Sequence, residues 1–199
     1  LQKSGIDARL ATAAAGGSQT SIDIFHAEDL NARSATLARQ ASLPLIATEA
    51  AVPTQRSSED RGMVVHSATA IKTQQNAGVL VGGTLLNRNL NFIDTINALV
   101  YRAKGSDRQG TATLFLEDVR ISTNVRLFED VRALGTRVSA AVRSRVLDNG
   151  LTWLDRAFVV NDWYISGYQP ITDSFGNRVG MLYVGFLEAP YRPLYARPM

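Results

Sequence analysis

Residues Gly110 to Val125 read GTATLFLEDVRISTNV, and the fold turns on this stretch. Thr111 to Leu116 is a β-prone run, Glu117-Asp118 is a tight turn, and Val119 to Val125 is the returning strand. Downstream, Gly135-Thr136 opens a helix in which Val138, Ala141, Val142, Arg145 and Val146 fall in phase. Thr136 is placed as its N-cap, and Asn149-Gly150 as its stop. Three strands follow, Ala157 to Val160, Trp163 to Ile171 and Val179 to Leu187, with Asp173-Ser174-Phe175-Gly176-Asn177 turning the last hairpin. Two strands, a helix and three strands predict an α+β fold with a central antiparallel β-sheet flanked by helices.

Upstream of Gly110 the pattern is looser. Lys104 to Gln109 is the clearest internal boundary. Before it, Met63 to Ile71 and Val79 to Leu86 read as strands around a turn at Gln74 to Gly78. A helix follows, with Phe92, Ile93, Ile96, Leu99 and Val100 at helical spacing. Residues 54–61 (TQRSSEDR) are loop-like, and Pro44 and Pro53 break what precedes them. A helical stretch starts near Ala27-Glu28-Asp29. Gln2 to Ala15 has Ile6 and Leu10 in phase and stops at Gly16-Gly17, which predicts a long N-terminal helix. The expected divisions are a helical segment over 1–61, a strand-strand-helix part over 62–104, and a sheet module over 110–190.

Composition narrows the function. The 199 residues are 45% hydrophobic and 20% charged, as in an ordinary globular domain, and no apolar run reaches the length of a membrane span. The chain starts at Leu1 without Met, and we read it as a piece of a longer protein whose anchoring segment lies outside it. With no cysteine there is no thiolate chemistry, and His26 and His66 have no ligand-spaced partners, so no metal or other cofactor is expected. The net charge of +3 is spread along the chain, without the clustered basic face that nucleic acid requires. Gly82-Gly83 is not followed by a nucleotide-binding pattern, and no nucleophile elbow or zinc-protease motif occurs. The chain is not read as an enzyme.

Four motifs in order carry a family resemblance. Gly110 to Val125, Ala133-Leu-Gly-Thr-Arg-Val-Ser139, Trp163-Tyr-Ile-Ser-Gly-Tyr-Gln-Pro-Ile-Thr-Asp173 and Gly180-Met-Leu-Tyr-Val-Gly185 together resemble the core of Cache domains. Gly78 to Asn89 resembles the end of a membrane-distal module in the Cache 3/Cache 2 fusion type. The resemblance implies a PAS-like sheet and a periplasmic, extracytoplasmic sensor domain of a membrane-anchored bacterial receptor. That receptor would be a chemoreceptor, a sensor histidine kinase or a diguanylate cyclase. A small-molecule ligand would bind between the sheet and its covering loops, an organic acid being favoured over an amino acid. A ligand-free dimerisation domain is the alternative, and a homodimer fits either reading.

The residues themselves suggest where such a ligand would sit. Strand side chains alternate between faces. On Val119 to Val125 this places Arg120, Ser122 and Asn124 together, and on the later strand it places Tyr164 with Tyr168. A guanidinium, phenols and hydroxyls suit a carboxylate. Thr136 and Arg137, at the expected helix N-terminus, would add to the attraction, and Trp153 is a candidate lid. The plainer reading makes Arg120 a solvated sheet residue and the tyrosines core aromatics. Asp155, Arg156 and Asp162 are read as loop charges.

Overall fold

A computed structural model describes residues 18–72, 77–101 and 110–189. Its centre is a five-stranded antiparallel sheet formed by β6 (Thr111–Leu116), β7 (Val119–Thr123), β10 (Trp153–Val159), β11 (Asp162–Thr172) and β12 (Arg178–Leu187). The spatial order is β10-β11-β12-β6-β7. Counting strands within this sheet alone, the order is 2-1-5-4-3, the PAS-like arrangement that the resemblance implied. The expected N-terminal helix at Gln2 to Ala15 lies outside the described residues.

A second antiparallel sheet, of order β1-β4-β5, joins β1 (Ser18–Phe25), β4 (Gly62–Lys72) and β5 (Ala77–Leu85). The β1–β4 ladder runs from Ser18↔Thr69 to Phe25↔Gly62 and so crosses the division expected at 61/62. Two short helices, α1 (Ala27–Arg33) and α2 (Ala35–Ala41), cover one face of this sheet, where Phe25, Leu30, Ala41 and Leu85 pack. They are separate because Ser34 is extended at φ −169°, closing α1 and capping α2 through Thr36 N. Then come β2 (Leu43–Pro44), β3 (Ser58–Glu59) and α3 (Leu90–Val100), whose N-cap Asn89 accepts from Phe92 N. A small hairpin, β8 (Arg126–Phe128) and β9 (Val131–Arg132), follows β7.

Two cores sandwich the five-stranded sheet. On its rear face Ala112, Leu114, Leu116, Val119 and Ile121 meet Leu43, Met63, Leu86 and Ile93 from the upstream elements. On its front face Phe115, Tyr168, Met181 and Tyr183 meet Val138, Val142, Val146 and Leu147. Val142 belongs to α4 (Ala140–Arg143), Val146 and Leu147 to the π-helical turn Ser144–Asp148 that continues it, and Val138 to the segment just before the helix. The helix starts later than the sequence suggested. Thr136 is no N-cap, because residues 135–137 bond along the outer edge of β7: Arg120 N donates to Thr136 O and Gly135 N to Arg120 O, both at 2.9 Å. The cap is Ser139, which accepts from Val142 N.

Buried polar groups lock the upstream part to the sheet. Asn87, fully buried, accepts from Met63 N and donates to the carbonyls of Ala41 and Arg61. Asp23, on β1, holds the β11–β12 turn: Ser174 N and Oγ donate to its Oδ1 at 2.9 and 2.6 Å. Its Oδ2 lies 2.6 Å from His66 Nε2. Burial alone would raise the Asp23 pKa, but the bonds from Ser174, His66 and Ser21 outweigh it and hold the carboxyl below its ordinary value. A depressed folded value stabilises fully above the unfolded carboxylate's roughly 3.9 and fades as pH falls through the folded value. Asp23→Asn should therefore cost on the order of 2 kcal/mol near neutral pH, about 4–8 °C in Tm. That gap should narrow as melts are taken to pH values below the ordinary carboxylate pKa of roughly 3.9. A gap independent of pH would contradict the ionised lock.

Candidate functional site

The front face of the sheet holds a cavity of about 510 Å³ with Arg120 and Tyr168 at its floor. A bulge aims Arg120 there. Between β6 and β7 the register slips, so that Leu114 faces Ser122 but Phe115 faces Arg120. The extra residue puts Ile121 and Ser122, neighbours in sequence, both on the rear face. Ile121 packs in the rear core, and Ser122 Oγ donates to Asn89 O at 3.0 Å. Arg120 and Thr123 face forward, with Thr123 Oγ1 2.6 Å from Thr113 Oγ1. Strict alternation, which grouped Arg120 with Ser122 and Asn124, fails at this bulge.

Arg120 is 3% exposed, and no carboxylate lies within ion-pair distance of it among the described residues. Its Nη1 donates to Thr136 Oγ1, whose own hydroxyl donates to Ala133 O at 2.7 Å. The guanidinium carbon lies 5.0 Å from the centre of the Phe115 ring, a cation–π contact. Nε has no partner. Burial lowers the pKa of this guanidinium, and Tyr168, Tyr183 and Tyr164 offset only part of the effect. The cation is thus held in a dry, electron-rich setting with a donor unspent.

The Tyr168 ring packs at a tilt against Tyr183, with centroids 4.8 Å apart, and burial pushes its phenol up to about 12, so it stays protonated as a neutral donor. Arg137 also lines the cavity, but its fork is committed. Nε and Nη2 donate to the buried Asp118 at 3.2 and 2.6 Å, and Nη1 to Val52 O at 2.5 Å. Ser139, the N-cap of α4, also lines the cavity, but its hydroxyl oxygen is taken by Val142 N. The remaining sequence candidates lie elsewhere. Asn124 accepts from Ala112 N at 2.7 Å and holds the start of β6. Trp153 and Tyr164 pack against the front core without lining the cavity.

The roof was not visible in the sequence. It is a strap over residues 46–50, between the Pro44 and Pro53 breaks, lined by Ile46, Thr48 and Glu49. Ile46 N donates to Gly135 O at 2.9 Å, Arg137 N to Thr48 Oγ1 at 3.1 Å, and Ala140 N to Ala50 O at 2.7 Å. Such a segment shows no periodicity, and the bonds that hold it over the sheet run to partners about ninety residues away. Val160, at the β10–β11 turn, also lines the cavity with φ +63°, a strained state for a β-branched residue. A larger groove of about 940 Å³ lies on the rear of β10, β11 and β12. Its one lining cation, Arg156, pairs with Glu188 at 2.7 Å, and its remaining charge, Asp155, is acidic, so the smaller cavity is the one suited to an anion.

The model of the family "single Cache domain 3" matches residues 84–197, more than half of the chain. The chain belongs to the Cache family. This Cache domain places its five-stranded sheet, Arg120 and the floor of the cavity inside the matched residues, and the strap outside them. Cache domains are extracytoplasmic sensor modules of signal-transduction receptors, without catalytic machinery of their own. No curated protein matches the chain. Among the described residues no helix is long and apolar enough to cross a membrane.

Gly135 sets how closely the strap lies. Its φ is +78°, and a Cβ there would stand 2.1 Å from Pro44 O. Gly135→Ala should cost roughly 1–3 kcal/mol, a few degrees in Tm. Amide exchange should also quicken at Ile46, whose N–H bonds to Gly135 O. A wild-type melt with unchanged Ile46 protection would show that the strap does not depend on this contact.

Proposed function

We propose that this Cache domain senses a small organic anion, held by Arg120 in the front cavity, as the periplasmic input of a membrane receptor. The observation that supports it is the buried Arg120 guanidinium, desolvated, without a carboxylate partner among the described residues, and lining the cavity. Removing a cation from water costs several kcal/mol unless an opposite charge and further hydrogen bonds replace the lost hydration. A ligand carboxylate supplies both, accepting from the Arg120 guanidinium and the Tyr168 hydroxyl. A ligand-free structural domain would have its front face filled by side chains. The cavity favours the sensor reading.

Binding would draw the strap and the 135–139 segment against the sheet floor. The shift then passes along β11 and β12 toward Leu187, where the chain leaves the sheet. A ligand biases signalling only by its differential affinity for the two states. The receptor beyond the domain is a chemoreceptor, a histidine kinase or a diguanylate cyclase.

A thermal-shift panel of carboxylates, amino acids and amines tests the reading. At a hundred times Kd a ligand adds about 2.7 kcal/mol, or roughly 5–10 °C for a chain of this size. The expected result is a carboxylate hit that Arg120→Ala abolishes. A neutral or amine hit that persists in Arg120→Ala would overturn the anion site, and no hit at millimolar concentrations would favour the structural domain.

A further inference from the structure

The cavity's charge count and walls narrow the ligand further than its anionic character. We propose that the Arg120 cavity selects monocarboxylates with an apolar body, against dicarboxylates and against α-amino acids. This rests on the anion reading above and specifies the ligand class of that same site.

Three observations carry it. The first is the number of cations available. Two arginines line the cavity, but Arg137 is spent on Asp118, which is 3% exposed and also has Arg143 at 3.4 Å. Drawing Arg137 onto a ligand would strip a buried carboxylate of its bidentate partner, a costly exchange. One carboxylate can therefore be neutralised at the floor, and a second finds no free cation among the described residues.

The second observation is the placing of the acid. Among the lining residues Glu49 is the acidic one, and it sits exposed on the strap, with no ion pair among the described residues. A second ligand carboxylate reaching from Arg120 toward the strap would meet this like charge. An α-ammonium has the opposite difficulty. It lies one carbon from the carboxylate, so it would come to the floor beside the Arg120 guanidinium, where no acidic side chain lines the cavity. Both substituents bury a charge that the site does not balance.

The third is volume and polarity. At roughly 30 Å³ per water, 510 Å³ corresponds to about seventeen waters. The four heavy atoms of acetate would leave most of that space wet. Away from the floor the walls are Ile46, Leu127, Val138, Phe158, Val159 and Val160. These residues take an alkyl or aryl body, and each methylene they bury is worth about fourfold in affinity.

The test is calorimetric titration of the domain with acetate, butyrate, hexanoate and benzoate, then adipate and norleucine as the charged counterparts of hexanoate. Affinity should rise about fourfold per methylene from acetate toward hexanoate. Adipate and norleucine should bind at least about tenfold more weakly than hexanoate, as expected for an unbalanced buried charge. Glu49→Gln should recover part of the loss for adipate and none for norleucine. A flat series, or adipate or norleucine binding as well as hexanoate with that binding lost in Arg120→Ala, overturns the class while leaving the anion site standing. Failure of every carboxylate, or binding that survives Arg120→Ala, overturns the anion site itself and the class with it.

Discussion

A guanidinium taken out of water loses hydration worth several kcal/mol, and Arg120 recovers only part of it from Thr136 Oγ1 and the face of Phe115. The surrounding structure is arranged around keeping that cation in place. The bulge at Ile121 turns it forward while leaving Ile121 in the rear core. Backbone bonds from Gly135 and to Thr136 brace its strand from the outside. Asp118 takes up the neighbouring Arg137, so the one cation is not joined by a second free one.

The site is a joint product of two parts of the chain. The floor belongs to the five-stranded sheet, and the roof comes from residues 46–50, which reach it through Leu43, packed into the rear core. The locks at Asn87 and Asp23 therefore bear on the cavity although neither residue lines it. Asn87 fixes the end of α2 against β4, and Asp23 fixes β1 against the β11–β12 turn. A shift of the strap is opposed by both.

Much of the sheet was legible in the sequence because alternation, turn residues and strand length agree there. Thr111 to Leu116, the Glu117-Asp118 turn and the Asp173 to Asn177 turn stand where the sequence put them. Four things were not legible. The bulge leaves no mark on a pattern of period two, so Ser122 was assigned to the wrong face. Thr136 has the chemistry of an N-cap, but tertiary bonding to β7 claims its backbone and Arg120 its hydroxyl. Ser18 to Phe25 went unread as a strand, although Ile22 and Ile24 alternate with Ser21, Asp23 and Phe25. Its short run lies between a Gly-Gly stop and the next helix, where the helical signals on either side dominate. The strap had no local signal at all, since contacts remote in sequence shape it.

The central claim is that the folded domain carries an uncompensated buried cation, and urea denaturation of Arg120→Met without ligand tests it most directly. Methionine keeps most of the side-chain volume and removes the charge. If Arg120 is unpaired, the variant unfolds at the same or a higher urea midpoint than the wild type, because replacing a poorly compensated buried charge by an apolar group of similar shape is neutral or stabilising. If instead the midpoint falls by the equivalent of about 3–5 kcal/mol, the cost of breaking a buried ion pair, then Arg120 is balanced within the protein and is not held in reserve for a ligand.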